Sequence, residues 1–169
     1  MKKHLFFLFA ALTLLTAPGA MRAQTTVTIG NESSTNSAYI MPVNMYYNYS
    51  LTQQIYRADE INMPDGGTIT SISFEYLYSG AFSLSGIKVF MKNTTKESFT
   101  NNNDWVEVSA SDKVFEGTFS ASGAGWVTLT LNTPFHYDGT SNLLVCFYDP
   151  TNGYPGSSYK FRTTSTTSD

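Results

Sequence analysis

Short runs of alternating apolar and polar residues recur along the chain from residue 25 onward, separated by glycine, asparagine, aspartate and proline. Because successive side chains of a strand point to opposite faces, such runs predict strands that bury one face. The clearest run covers residues 66–79, where Ile72, Phe74 and Tyr76 fall on one face and Ser73 falls on the other. No run in this part of the chain carries the apolar stripe of an amphipathic helix, so the pattern predicts a protein built from strands.

The pattern predicts about eight or nine strands, at intervals typical of an all-β domain. They lie at residues 25–30, at the end of 39–61, and at 66–79, 85–94, 105–109, 113–121, 125–135, 142–149 and 158–165. Residues 39–61 are irregular and aromatic, and their end predicts either a strand or a strand that leads into one helical turn at 58–61. This spacing predicts an antiparallel sandwich or barrel.

The run at 142–149, NLLVCFYD, differs from the others because it is apolar on both faces. Such a strand is expected in the middle of a sheet, covered on each side. It contains Cys146, the only cysteine of the chain, so no internal disulfide can form. We interpret Cys146 as a small buried hydrophobic residue.

The first 23 residues predict a secretory signal peptide. Lys2 and Lys3 precede an apolar run from Leu5 to Leu15, and small residues follow as far as Ala23. A membrane anchor is the alternative, but it needs about 20 apolar residues, about twice the length of this run. We therefore expect a secreted or cell-surface protein whose domain spans residues 24–169.

The number and distribution of charged residues limit the class of molecule that the protein is expected to bind. Three of the ten basic residues lie in the signal segment and none of the thirteen acidic residues does, so the remainder is acidic. Its basic residues are scattered, whereas a nucleic-acid surface needs them clustered. The sequence therefore argues against nucleic acid as a partner, and no membrane insertion is expected once the signal is removed.

The polar C-terminal segment 163–169, TTSTTSD, follows the last predicted strand without a further turn or strand. It is either a polar tail or the point at which the chain stops before the domain is complete. We expect the domain to be incomplete here, with other domains of a longer chain beyond it.

Oxygen-bearing residues at strand corners raise the possibility of structural calcium, which takes six to eight oxygen ligands. The candidates are Asp138, Asn142 and Asp149 around the 142–149 run, and Asp104 at the end of NNND. The same residues form ordinary turns: Asp138-Gly139 is a turn dipeptide and Asp149-Pro150 marks a loop. Both interpretations stay open at this stage.

Aromatic residues in polar surroundings predict a ligand-binding surface, because an aromatic ring can stack on the apolar face of a sugar. The chain offers Tyr46, Tyr47, Tyr49, Tyr56, Trp105, Trp126 and Tyr154 as candidates. We select Trp126, Tyr154 and Trp105 as ligand-binding residues. Trp126 alternates with Val127 and shares a face with polar threonines, so its ring is expected to be half-exposed. The alternative is that these rings pack in the core or at sheet edges.

Five phrases, in order, carry a resemblance to a known class of module. They are YNYSLTQQIYRADEI (47–61), GTITSISF (67–74), IKVFMKNTTKESF (87–99), DWVEVSASDKVFEG (104–117) and PFHYDGTSNLLVCFYD (134–149). Together they resemble a β-sandwich module of secreted and surface proteins of the Bacteroidetes, found with gingipain-type adhesin and fibronectin-like domains. The resemblance implies a jelly-roll-like sandwich outside the cell, and it supplies no catalytic residues.

The expected function is therefore non-catalytic: a module for adhesion or ligand binding, or a spacer unit of a larger secreted protein. Expected partners are a glycan or a host or other extracellular protein. The alternative is a carbohydrate-binding accessory module of a secreted hydrolase or peptidase. Apart from the signal, His136 is the only histidine, and no nucleophile elbow accompanies it, so we do not expect an enzyme.

Overall fold

A computed structural model of the chain describes residues 24–31, 33–153 and 155–164. Within these ranges eight strands form two four-stranded antiparallel sheets, and the predicted all-β sandwich is confirmed. The predicted signal peptide and the C-terminal residues 165–169 lie outside the described residues, as do Glu32 and Tyr154.

The strands are β1 (Ser37–Ala38), β2 (Ser50–Tyr56), β3 (Gly67–Tyr76), β4 (Phe82–Thr94), β5 (Lys113–Ala121), β6 (Gly125–Tyr137), β7 (Asn142–Asp149) and β8 (Phe161–Arg162). A single turn of helix, α1 (Ala58–Ile61), follows β2, and a short 3₁₀ helix (Ala110–Asp112) precedes β5. One sheet has the order β1-β8-β3-β6 and the other the order β2-β7-β4-β5. This order is that of an eight-stranded jelly roll.

Three predicted strands are wrong or too long. Residues 25–30 form no ladder, and most of their side chains, including Val27, stay exposed. Alternation in so short a run buries too little apolar surface to fix a strand. Residues 105–109 also form no ladder, and the predicted strand at 158–165 shrinks to the two residues of β8.

The core lies between the two sheets and is rich in aromatic rings. Phe119 of β5 is fully buried and contacts rings from both sheets. Its ring centroid lies 5.2 Å from that of Phe82, 5.9 Å from that of Phe147 and 5.8 Å from that of Phe161. Because Phe161 belongs to one sheet and Phe147 to the other, Phe119 couples the two layers.

The apolar strand β7 lies between β2 and β4, so its predicted place inside a sheet is confirmed. Leu143, Val145 and Phe147 face the core. Leu144 and Cys146 point to the outer face of the sheet and are nevertheless completely buried. Something must therefore cover the outer face at these two positions.

The covering segment is residues 95–109, between β4 and the 3₁₀ helix. Gln53 pairs with Cys146 across the sheet, and its side-chain amide makes two bonds to one residue of this segment. Its Nε2 donates to the Val106 carbonyl at 2.7 Å, and its Oε1 accepts from the Val106 N–H at 2.9 Å. Lys92, which pairs with Leu144, donates from Nζ to the Glu107 carbonyl at 3.1 Å. The segment is thus fastened over Leu144 and Cys146.

Gln53→Ala is expected to raise the rate at which a thiol reagent labels Cys146 by a factor of about 30. Two hydrogen bonds of about 1 kcal/mol each hold the segment closed, and losing about 2 kcal/mol raises the open population by about that factor. Labelling of the native protein with an aromatic disulfide reagent measures the effect.

Gln54→Ala is the matched control, because Gln54 is the next residue of β2 and donates to the Pro42 carbonyl instead. The control should label at the wild-type rate. Equal labelling rates in the Gln53→Ala variant and the wild type would show that the Gln53 amide does not hold the segment.

Candidate functional site

The connections between strands fall into two groups at opposite ends of the sandwich, because neighbouring strands are antiparallel. Ser50 at the start of β2 pairs with Asp149 at the end of β7, and Tyr76 pairs with both Gly125 and Phe161. The connections 39–49, 77–81, 122–124 and 150–160 therefore share one end, which we call the tyrosine end. The connections 57–66, 95–112 and 138–141 leave from the other end.

The two ends differ sharply in charge. The four connections of the tyrosine end contain a single charged residue, Lys160, at their border with β8. The opposite connections contain Arg57, Asp59, Glu60, Asp65, Lys96, Glu97, Asp104, Glu107, Asp112 and Asp138. One pole of the sandwich is therefore neutral and the other is charged.

The tyrosine end concentrates one side chain type. Six of the eleven tyrosines of the chain lie on the described part of its connections: Tyr39, Tyr46, Tyr47, Tyr49, Tyr78 and Tyr159. Within 39–49, Tyr46 is 47% exposed, and Tyr47 and Tyr49 are each 60% exposed. Large side chains left this open at one place are typical of a contact surface.

The loop that carries these rings is anchored from below. Val43 and Met45 are completely buried, so alternate residues of the loop point into the sandwich while Tyr46 points outward. The Met45 N–H donates to the Tyr39 carbonyl at 2.7 Å, and the Met45 carbonyl accepts from the Gly156 N–H at 2.8 Å. The loop is thus bonded to itself and to the β7–β8 connection, which fixes the place of the tyrosines.

An open depression of about 510 Å³ lies among the rings. Tyr46, Tyr47, Asn48 and Tyr49 line it. The rings of Tyr46 and Tyr47 stand nearly perpendicular, with centroids 5.4 Å apart. The Asn48 Nδ2 donates to the Asn152 Oδ1 at 3.1 Å, which ties this rim to the β7–β8 connection. The depression therefore combines aromatic faces with amide groups.

Of the selected aromatic residues, Trp126 is exposed as predicted, with 58% of its surface open. It is the second residue of β6 and pairs with Glu75 on the outer face of the β1-β8-β3-β6 sheet. Arg162 binds the Glu75 carboxylate through two nitrogens, at 2.5 Å and 2.9 Å. The polar group next to Trp126 on this face of the sheet is therefore the Glu75–Arg162 ion pair.

The other two selected residues do not join Trp126. Trp105 is 47% exposed but belongs to the segment that covers the opposite sheet, so the two tryptophans face away from each other. Tyr154 lies outside the described residues. Tyr56, considered as an exposed candidate, is instead half-buried and packs against the core, so that expectation is wrong.

The depression itself was not selected from the sequence, although Tyr46, Tyr47 and Tyr49 were among the aromatic candidates. A signal was present: residues 33–56 contain no Asp, Glu, Lys, Arg or His, and three of the tyrosines fall within 46–49. An uncharged aromatic stretch of this kind is interpretable only once the loop is known to be at the surface.

The four calcium candidates are not brought together. Asp138 and Asp149 lie at opposite ends of β7. Asp138 accepts bonds from the Thr140 N–H at 2.8 Å, the Ser141 N–H at 2.8 Å and the Ser141 hydroxyl at 2.7 Å. These donors, those of Ser141 first, lower the pKa of Asp138 to about 2. Asp138 therefore closes its own turn.

Asp104 and Asn142 are likewise occupied, and both meet Lys96. The Lys96 ammonium lies 2.5 Å from Asp104 and, with the Thr100 N–H and hydroxyl, lowers the pKa of Asp104 to about 2. Asn142 accepts from the Ala58 N–H at 2.9 Å and donates to the Lys96 carbonyl at 3.0 Å. Asp104 thus closes a loop within the covering segment, and Asn142 fastens that segment and α1 to β7.

Asp149 alone among the four keeps an unused oxygen. It is 1% exposed, and its Oδ1 accepts from the Thr151 N–H at 2.8 Å and the Thr151 hydroxyl at 2.7 Å. Its Oδ2 is buried without a hydrogen-bond partner. No group of three or more His, Cys, Asp or Glu side chains able to hold a metal occurs among the described residues. The calcium prediction stays a prediction, and Asp149 is where it can be tested.

Burial raises the pKa of the Asp149 carboxyl above its ordinary value, and the bonds from Thr151 oppose this only in part. The folded protein therefore holds this proton more tightly than the unfolded chain does. The contribution to stability is full below the unfolded pKa of about 3.9 and is lost as the pH rises through the folded pKa.

Asp149→Asn is therefore expected to raise the free energy of unfolding near neutral pH by on the order of 1 kcal/mol, because a neutral amide replaces a buried charge. The gain should disappear at acid pH, where the wild-type carboxyl is protonated. Urea unfolding in a chelator at both pH values measures it, with the exposed Asp65→Asn as control. A loss of stability in the chelator would contradict the prediction. A rise in wild-type stability in calcium that the variant lacks would assign the ion to Asp149.

The search for known relatives gives no assignment: no family model, no curated protein and no solved structure matches this chain. Among the described residues, no helix has the length and apolar character needed to cross a membrane.

Proposed function

We propose that this chain is a non-catalytic module of an exported protein that binds an extracellular ligand through the tyrosine end. The exposure of Tyr46, Tyr47 and Tyr49 around one depression carries the proposal. Tyrosine offers a large, rigid contact area with a polar tip, and it loses little side-chain freedom on binding. The buried anchors of the same loop support this, because a surface that is already in place loses less entropy when it binds.

The predicted signal peptide supports a place outside the cell or on its surface. The resemblance to sandwich modules of Bacteroidetes surface proteins supports an adhesion or ligand-binding role, or that of a spacer within a longer chain. The signal peptide and the resemblance are both expectations drawn from the sequence.

The positions of the reactive side chains support a non-catalytic role. Cys146 is completely buried, and burial raises the pKa of its thiol, which disfavours the nucleophilic thiolate. His136 is exposed near the end of β6. Asp104 and Asp138 are engaged in structural hydrogen bonds.

The test compares the wild type with a variant carrying Tyr46→Ala, Tyr47→Ala and Tyr49→Ala. Three sets of immobilised probes are used: neutral glycans, acidic glycans, and purified extracellular-matrix proteins such as collagen and fibronectin. The wild type is expected to bind at least one set. The variant should bind it about a hundredfold more weakly, since each ring contributes about 1 kcal/mol.

His136→Ala is the control, since His136 is an exposed ring near the end of β6, at the opposite end of the sandwich from the tyrosine end. It should bind like the wild type. Absence of binding to all three sets, or undiminished binding by the triple variant, would overturn the proposal. Turnover of a probe would overturn the non-catalytic assignment.

A carbohydrate-binding accessory module of a secreted hydrolase or peptidase is the second candidate. The exposure of Trp126 beside the Glu75–Arg162 pair favours it, because an open indole next to hydrogen-bonding groups suits a sugar ring. In this case Trp126→Ala removes glycan binding and the triple tyrosine variant keeps it.

A further inference from the structure

We infer that the ligand of the tyrosine end is a neutral carbohydrate. The inference rests on the proposed function and narrows it to one class of ligand. It follows from the charge, the chemistry and the form of the depression.

The charge distribution around the depression favours an uncharged ligand. No residue from 33 to 56 is charged, and the three neighbouring connections add only Lys160. The acids nearest to them are Asp149, which is 1% exposed, and Glu75, whose carboxylate is bound by Arg162. A charged ligand group placed in the depression would lose water without gaining an ion pair from the residues that line it, and this costs free energy. Acidic polysaccharides and nucleic acids are therefore poor ligands for this end.

The groups around the depression combine aromatic faces with hydrogen-bonding amides, as a sugar requires. A pyranose ring has apolar C–H faces and a rim of hydroxyl groups. Tyrosine rings carry negative charge density on their faces, which attracts the weakly positive C–H groups. Each of Asn48 and Asn152 has both donor and acceptor groups, and their mutual bond uses only one from each. Stacking and hydrogen bonding are thus available side by side.

The form of the depression favours a sugar over a protein partner. The depression of about 510 Å³ is open and lined by four consecutive residues, so it can contact one face of a small ligand such as a sugar ring. A typical protein partner covers about 800 Å², and about a quarter of its residues are charged. The tyrosine end has no exposed carboxylate to meet such charges. We therefore favour a glycan over a protein at this surface.

The experiment uses an array of neutral oligosaccharides built from hexoses, pentoses and N-acetylhexosamines, together with their uronate, sialylated or sulfated counterparts. The wild-type chain is expected to bind neutral glycans in preference to the matched acidic ones. Binding should be unchanged between about 50 mM and about 500 mM salt, because no ion pair is involved.

Single variants then locate the ligand. Tyr47→Ala should weaken neutral-glycan binding at least tenfold, whereas Tyr47→Phe, which keeps the ring, should bind within about threefold of the wild type. His136→Ala, at an exposed ring near the end of β6 at the other end of the sandwich, should bind like the wild type. Because Tyr47 is 60% exposed, the thermal unfolding temperature should not change, and this shows that lost binding is not lost folding.

Two outcomes overturn the inference while leaving the proposed function in place. One is binding to acidic glycans or matrix proteins but not to neutral glycans, with loss in the tyrosine variants. The other is neutral-glycan binding that falls with rising salt. Neutral-glycan binding that Trp126→Ala removes and Tyr47→Ala keeps overturns both the inference and the assignment to the tyrosine end. Binding to no probe of any class removes the proposed function as well.

Discussion

Phe119→Ala is expected to lower the free energy of unfolding by about 3–5 kcal/mol, as large-to-small changes at buried aromatic positions do. The side chain is fully buried and is surrounded by rings from β4, β7 and β8. Its removal leaves a cavity between the two sheets and breaks several ring contacts, each of about 0.5–1.5 kcal/mol. Small domains have only about 5–15 kcal/mol in total, so the variant should unfold at a much lower urea concentration.

Urea unfolding followed by fluorescence and by circular dichroism measures this loss. Phe119→Leu provides a graded comparison, since it fills more of the space and should lose roughly half as much. Tyr47→Ala, an exposed aromatic truncation, should change stability by less than about 0.5 kcal/mol. A loss below about 1 kcal/mol for Phe119→Ala would mean that the sheets are not packed through this ring.

Gly139→Ala is expected to cost about 3 kcal/mol or more, because a side chain fits neither the backbone conformation nor the space. Gly139 lies in the turn between β6 and β7 with a φ of +83°. A Cβ there would lie 2.5 Å from the Gly66 nitrogen and 2.5 Å from the Pro64 carbonyl oxygen. Gly66 itself has a φ of +66°, and a Cβ added there would lie 2.5 Å from the Tyr137 carbonyl oxygen. These contacts involve backbone atoms, which cannot swing away as a side chain would.

Two controls separate space from conformation. Gly156→Ala tests the conformation alone, because its φ is +122° and nothing lies within 4 Å of an added Cβ. Gly153→Ala introduces neither a steric clash nor a strained conformation, so it should leave the free energy of unfolding unchanged. If Gly139→Ala proved no more destabilising than Gly156→Ala, the close approach of the two turns would have no energetic weight.

The fold could be predicted from the sequence where the local pattern of a strand agrees with its tertiary environment. The predicted strand at 142–149 coincides with β7, because a long apolar run is bounded by Asp138-Gly139 and Asp149-Pro150. The exposure of Trp126 also followed from alternation along β6. Each of these conclusions needed only the residues of one strand and its turns.

A strand was predicted wrongly where a side chain, rather than a neighbouring strand, forms the hydrogen bonds of the backbone. Residues 105–109 alternate like a strand, yet the N–H and carbonyl of Val106 bond to the Gln53 amide instead of a neighbouring backbone. Nothing within 105–109 indicates that a glutamine about fifty positions earlier supplies this partner. The apolar outer positions of β7 did indicate a cover, but not which segment provides it.

The tyrosine end could not be derived from the sequence for a related reason. Its four connections are far apart along the chain and meet only because of the jelly-roll order. The uncharged stretch at 33–56 is visible in the sequence, but its union with 77–81, 122–124 and 150–160 is a property of topology. The neutrality of a whole pole emerges only when the strands have been ordered.

The pairing of β1 with β8 has a mechanical consequence. β1 and β8 are antiparallel neighbours joined over two residue pairs. The chain therefore enters β1 and leaves β8 at the same end of the sandwich, which is the end opposite to the tyrosine end. A pulling force applied at residues 31 and 164 would break the hydrogen bonds of this ladder one after another, rather than load all of them at once. The edge strand β1 would yield first, and the tyrosine end lies at the opposite end of the sandwich from residues 31 and 164.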